Sequence, residues 1–175
     1  DLRGQLFFEM VRVLKSKKPK VFVAENVKGL LSANGRKAFP LVIKAFEEAG
    51  YHIHWKILNA SDFGVPQKRE RVFIVGFRSK SHFLKFKFPE PGSSVRVLSD
   101  VLETAVDESF YFSERAVRGM KSSKTSVIMN KGRAQSPDEP CNTVGAHLAK
   151  VSLNSTDPVY LENGRYRMFS PREVA

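Results

Sequence analysis

Two polar clusters in this chain have residue types and spacing suited to chemistry. The first is Glu25-Asn26-Val27, which closes the apolar run Val21-Phe22-Val23-Ala24. A short run of β-branched and aromatic residues predicts a strand buried on both faces of a parallel sheet. In open α/β sheets, ligands collect beyond the carboxyl ends of such strands. A carboxylate there, followed by an amide able to lock the turn, is placed to act on a substrate. The second cluster is Gln67-Lys68-Arg69-Glu70-Arg71, just ahead of the apolar run that ends at Phe77. On a strand, Gln67, Arg69 and Arg71 share one face. Two guanidiniums and an amide suit a planar polar ligand or a phosphate; the same pattern also describes a basic edge strand that resists aggregation.

The elements needed to hold these clusters follow from periodicity. Leu6, Met10, Val13 and Leu14 have helical spacing, and Pro19 bars continuation after a basic turn. Asn34-Gly35 breaks the chain. Phe39, Val42, Ile43 and Phe46 then mark a second helix, with Pro40 in its first turn and Gly50 just past its end. Ile53, Trp55 and Ile57 alternate with His52, His54 and Lys56, predicting a half-buried strand with solvent-facing histidines. The link from this strand to the one beginning at Arg71 is too short for a helical crossover, so the pair is expected to be antiparallel. The order predicts part of a doubly wound, Rossmann-like α/β sheet.

After Phe77 the composition changes. Residues 79–94 are basic, aromatic and loop-like. Val97, Leu98, Val101 and Leu102 predict a short helix, and Ser113 caps another over Arg115 to Met120. Residues 121–164 read as short strands between turns, with Lys121, Lys124, Lys131, Arg133 and Lys150 spread among them. This is either a small, irregular, mostly β module facing nucleic acid or a loop-rich insert. Ser170-Pro171-Arg172-Glu173 has the pattern of a helix start with a capping box.

Bulk composition narrows the class. The 175 residues, 42% of them hydrophobic, are enough for one domain or somewhat more. A net charge of +11 and a pI near 9.9 favour a polyanionic partner, nucleic acid ahead of acidic membrane, or describe a generally basic protein. No apolar run reaches membrane-spanning length, so no membrane role is expected. The single Cys141 excludes an internal disulfide or a cysteine-cluster metal site and points to an intracellular, cytoplasmic or nucleoid-associated setting. His52, His54, His82 and His147 lack ligand spacing with Cys141, so no metal is predicted. A chain that opens without Met and stops inside a helix start reads as a piece of something larger.

Phe22-Val23-Ala24-Glu25-Asn26-Val27-Lys28, followed by residues 58–73 (LNASDFGVPQKRERVF), resembles the C5-specific DNA cytosine methyltransferases. Residues 1–6 are similar to the segment that the family places before the first of these motifs. Residues 167–175 resemble the segment that follows its target-recognition region. The resemblance implies three parts: residues 1–78 as the second half of the catalytic domain, 79–164 as the target-recognition region, and 165–175 as the start of a return segment.

It also implies a chemistry. A family Cys thiolate adds to C6 of a flipped-out cytosine, and C5 then takes a methyl group from S-adenosylmethionine. By resemblance Glu25 serves N3, Arg71 donates to O2 as an oxyanion-type contact, Arg69 supports the loop and Asn26 shapes the turn. Gln67, Thr143, Lys131 and Arg133 are the expected contacts to double-stranded DNA, and Leu6 is the one expected contributor to the cofactor site. The family's Pro-Cys nucleophile loop and Gly-rich cofactor turn are not found in these residues. Pro140-Cys141 lies after the Gln67–Arg71 motif, the wrong order for the nucleophile. The chain alone is therefore expected to be inactive, as part of a restriction-modification type methyltransferase. It would need its N-terminal half or a complementary subunit, and an unpaired sheet edge would favour self-association. The alternatives are a DNA-binding subunit of a split enzyme and a non-catalytic nucleic-acid-binding module.

Overall fold

The computed structural model describes residues 2–122, 124–145 and 157–175. His147 and Lys150, both named above, lie outside them. Two compact units are present, Asp1–Asn59 with Glu70–Glu90, and Ala60–Arg69 with Pro91–Ala175.

The first unit is a three-stranded sheet with helices. Helix α1 (Leu2–Lys17) buries Val11 and Leu14, with Phe7 and Met10 packed beside them. Its inner stripe is therefore Phe7-Met10-Val11-Leu14, and Val13, expected inside, is exposed. Lys18 takes a positive φ of 49°, and its N–H closes the helix on the Leu14 carbonyl at 3.0 Å. Strand β1 (Val21–Val27) follows, then helix α2 (Ala38–Glu48), strand β2 (His52–Asn59), strand β4 (Glu70–Phe77) and helix α3 (Lys80–Lys85); the two-residue strand β3 (Gln67–Lys68) between β2 and β4 belongs to the second unit. Pro40 sits in the first turn of α2, and Gly50, at φ 87°, lies just past its end, both as expected.

The sheet order is β1-β4-β2. β4 lies between two strands that it meets antiparallel, running from Val21↔Phe77 to Val27↔Arg71 on one side and from His52↔Phe77 to Asn59↔Glu70 on the other. The expected antiparallel pair is thus present. One face of the sheet carries Phe22, Ala24, Val72, Ile74, Ile53 and Ile57, which pack with α1 and α2 around the fully buried Phe46. Burying each such large side chain contributes roughly 1.5–3 kcal/mol. Gly76 belongs to this face because the Phe22 ring lies across it. A Cβ there would come within 2.1 Å of Phe22 Cε1.

The opposite face corrects one expectation. β1 is not buried on both sides: Val21, Val23 and Val27 are exposed, Val23 at 65%. Over β2 and β4 the same face is covered by α3, a helix in a stretch expected to be loop. Phe83 stacks on His54 at 4.0 Å, and the Phe83 carbonyl lies 2.9 Å from His54 Nε2. His54 is therefore partly buried, while His52 is exposed as expected.

The second unit has short elements: α4 (Glu114–Met120), α5 (Lys124–Asn130), β5 (Ala134–Gln135), β6 (Cys141–Asn142), β7 (Val159–Glu162), β8 (Arg165–Arg167) and α6 (Pro171–Val174). β5 and β8 flank β7, and β3 pairs with β6. Ser113 caps α4 as expected, its hydroxyl accepting from Ala116 N–H. Ser170 and Glu173 form the expected capping box of α6. The helix expected near Val97 is only a single 3-10 turn, Leu98–Asp100.

A buried polar network holds the end of this unit. Arg167 and Glu173 have no side-chain exposure, and two guanidinium N–H groups donate to the two carboxylate oxygens at 2.8 Å each. Arg167 also donates to Glu162 and to the Met168 carbonyl. Glu173 in turn accepts from the backbone N–H groups of Ser170 and Glu103.

Candidate active site

The carboxylate at the end of β1 and the guanidinium at the start of β4 meet. The register places Glu25 opposite Phe73 and Val27 opposite Arg71, so Glu25 and Arg71 are diagonal neighbours on one face. Arg71 Nε lies 2.9 Å from Glu25 Oε1. Arg71 is 18% exposed and Glu25 44%. Arg71 Nη1 donates to the Glu70 carbonyl at 2.8 Å, which fixes the guanidinium plane. Beside the pair, Lys28 Nζ bridges both Glu70 oxygens at 2.9 Å. Asn26 Oδ1 accepts from Val27 N–H at 2.8 Å, where β1 turns into the 3-10 segment Lys28–Leu31. A pair this open to water contributes at most about 1 kcal/mol, so either partner can exchange the other for a ligand at small cost.

The sequence placed Gln67, Arg69 and Arg71 on one strand face; the structure does not. The strand breaks at Arg69, whose carbonyl accepts from Ala60 N–H. Gln67 lies in β3, which belongs to a different sheet and a different compact unit from Arg71. There Gln67 and Lys68 pair with Cys141 and Asn142, and Thr143 Oγ1 donates to the Lys68 carbonyl at 2.9 Å. Gln67, Arg96, Cys141, Val144 and Phe169 line a cavity of about 230 Å³ within this unit. Two expected DNA contacts, Gln67 and Thr143, are thereby brought together.

The other expected contacts divide. Lys131 is exposed, as a phosphate contact requires. Arg133 is buried, 4% exposed, with Nε on the Asp157 carbonyl and Nη1 on Asn130 Oδ1, so it holds the unit together instead of facing solvent. Leu6 lies in α1, and its side chain is outside the described residues. Cys141 is buried, and desolvation pushes its thiol up to about 11, against a small opposing pull from Lys68. No cluster of three or more His, Cys, Asp or Glu suited to a metal occurs among the described residues.

The mixed α/β sheet with β4 inserted antiparallel has a methyltransferase-like fold. It matches the S. pombe Dnmt2 methyltransferase with a TM-score of 0.67 at 20% identity, covering 99% of this chain and 59% of that one. It matches the Entamoeba histolytica methyltransferase EhMeth with a TM-score of 0.65 at 18% identity, covering 94% of this chain and 54% of that one. The sequence narrows the class further. Residues 1–175 match the C-5 cytosine-specific DNA methylase family, and the chain belongs to it. It is 35% identical to the type II methyltransferase M.FnuDI of Fusobacterium nucleatum, over 99% of this chain and 55% of that protein. It is 42% identical to M.HaeII of Haemophilus aegyptius, over 73% of this chain and 40% of that protein. The chain spans about half the length of such curated relatives, 55% and 46% for two of them. No helix among the described residues is long and apolar enough to cross a membrane.

Proposed function

We propose that, within the whole protein, these residues activate and hold a cytosine extruded from duplex DNA for methylation at C5. The observation that carries this reading is the Glu25–Arg71 pair, a carboxylate and a guanidinium on one sheet face at the end of β1. Attack of a thiolate on C6 breaks the C5–C6 double bond and drives electron density onto N3 and O2. As the base enters and the Arg71 guanidinium turns from Glu25 to O2, Glu25 takes a proton from solvent and passes it to N3, while Arg71 carries the charge at O2. The base takes the place of one partner of a weak ion pair, so entry costs little. Asn26 holds the turn that aims Glu25. When C5 later loses its proton and the thiolate leaves, N3 returns its proton to Glu25.

S-adenosylmethionine is the methyl donor that this reading implies. The described residues do not assemble a cradle for it: the positive-φ glycines Gly35, Gly50, Gly64, Gly132 and Gly164 are single turn residues. The attacking thiolate is not Cys141, whose buried thiol, pushed up to about 11, would be ionised to only about one part in ten thousand at neutral pH. The second unit, with Gln67, Thr143 and Lys131, supplies contacts to the duplex.

The test is Glu25→Gln in the whole protein. Methyl transfer is expected to fall on the order of 100-fold, as for loss of one preorganised charge-stabilising group, with duplex affinity within about twofold of the parent. Wild-type rates from the variant would refute the role of Glu25.

A further inference from the structure

The end of the first unit's sheet away from Glu25 and Arg71 carries a second concentration of charge. Lys15, Lys17, Lys18 and Lys20 lie between the last turn of α1 and the first residue of β1. Arg78, Lys80, Lys85 and Lys87 follow the last residue of β4 and run along α3. The register Val21↔Phe77 brings the two groups to the same end. Arg78 N–H donates to the Lys20 carbonyl at 3.1 Å, and Tyr51 O–H donates to the Pro19 carbonyl at 2.9 Å. Arg78 also lies over the Tyr51 ring, 5.9 Å from its centroid. The scaffold under the charges is therefore fixed by hydrogen bonds from three segments.

All eight cations are exposed, and none of them forms an ion pair among the described residues. At the Glu25 end the pattern is the reverse: Lys28 and Arg71 are both matched with carboxylates. Helix α2 closes with Glu47 and Glu48, and Glu48 is turned to Lys44 at 3.8 Å. From Lys20 to Glu25 the strand rises about 17 Å, roughly two Debye lengths at physiological salt. The field of this patch is thus largely screened from the catalytic pair, and its charges do not serve the base.

We propose that this end of the sheet is a second surface for the phosphate backbone of duplex DNA, separate from the contacts around the methylated base. A duplex presents one charge per ~1.7 Å of axis, which suits a dense set of unpaired cations spread over two chain segments. A lipid surface suits it less well, because α3 has six residues, too short to lie as an amphipathic helix in an interface. This surface stands independently of the role assigned to Glu25.

The test is binding of the protein to a labelled, non-specific duplex long enough to reach both ends of the unit, across a salt series. The variant is Lys17→Glu with Lys20→Glu, Arg78→Glu and Lys80→Glu. Each lost phosphate contact lowers the slope of log affinity against log salt by about 0.9. We expect a fall of about 2–4 in slope and at least tenfold weaker binding at low salt. A matched set of Lys→Gln and Arg→Gln changes should give a smaller loss in the same direction, with an unchanged circular dichroism spectrum excluding misfolding. Methyl transfer by the whole protein to a short duplex should be unaffected by these variants, which separates this result from the Glu25 test. An unchanged slope overturns the proposal. Loss of binding to single-stranded RNA or to phosphatidylserine vesicles, with duplex binding intact, also overturns it and assigns the surface to that partner.

Discussion

Replacing Arg167 by Met should be among the most damaging single changes in the second unit. Arg167 and Glu173 are both without side-chain exposure, and the guanidinium donates four hydrogen bonds, to Glu173, Glu162 and the Met168 carbonyl. Met fills similar volume but leaves the Glu173 carboxylate buried with only the N–H groups of Ser170 and Glu103. Stranding one partner of a buried pair costs about 3–5 kcal/mol. For a unit of this size that is a fall in melting temperature of roughly 12–40 °C. The double variant Arg167→Met with Glu173→Gln removes the stranded charge and should recover a large part of the loss. Urea unfolding of the four proteins closes a double-mutant cycle, followed by far-ultraviolet circular dichroism and amide exchange over residues 157–175. The cycle should give a coupling of about 2 kcal/mol or more. A loss below 1 kcal/mol for Arg167→Met, or a double variant worse than additive, would refute the reasoning. Acid provides a second reading of the same pair. Burial raises the Glu173 pKa, but the hydrogen bonds from Arg167, Ser170 and Glu103 outweigh it and hold the pKa below the ordinary carboxylate value. A depressed folded pKa adds stability above the unfolded pKa, and that stability is lost as pH falls through the folded one. The stability gap between the parent and Glu173→Gln should therefore narrow below about pH 4.5.

Gly76→Ala should cost roughly 1–3 kcal/mol or more in the first unit, because its methyl would meet the Phe22 ring at 2.1 Å; trimming the ring with Phe22→Leu in the same chain should restore part of the loss, read by the fluorescence of Trp55 on unfolding. Cys141→Ser in the whole protein should leave methyl transfer within a few fold. In the native chain Cys141 should react with a thiol reagent far more slowly than after unfolding, as a thiol pushed to about 11 implies; fast native labelling would contradict its burial.

Much of the first unit could be read from residue order. The β4 run, the α2 stripe with Pro40 and Gly50, and the antiparallel β2–β4 pair follow from local pattern and link length. Burial of β1 could not be read this way, because periodicity reports which residues are apolar and not what covers them. Helix α3 escaped notice since Lys80–Lys85 has one turn and a half and only Phe83 and Leu84 as apolar residues. Helix α5 was hidden by Thr125, Val127 and Ile128, whose β-branched side chains favour a strand locally. The placement of Glu25, Asn26 and Arg71 near one another was legible because they lie at strand ends. Arg133 was not, since a basic residue in a basic region gives no sign of being turned inward toward Asn130 and Asp157. The Arg167–Glu173 pair was half visible: the capping box showed in the sequence, and the guanidinium locked behind it did not.

The position of β4 has a consequence for the order in which the sheet closes. β4 is last of the three strands in the chain but central in the sheet. Residues 60–69 connect it to β2, whereas residues 28–69 separate it from β1. Closing the longer loop costs about 1.3 kcal/mol more in chain entropy, close to ninefold in the odds of encounter. The β2–β4 pair is thus favoured to zip first, leaving one edge of β4 open until β1 arrives. Glu25 rides on that late strand and Arg71 on the waiting one, so contact between the two marks the completed sheet. A polypeptide caught midway would hold Arg71 in place with no carboxylate across from it.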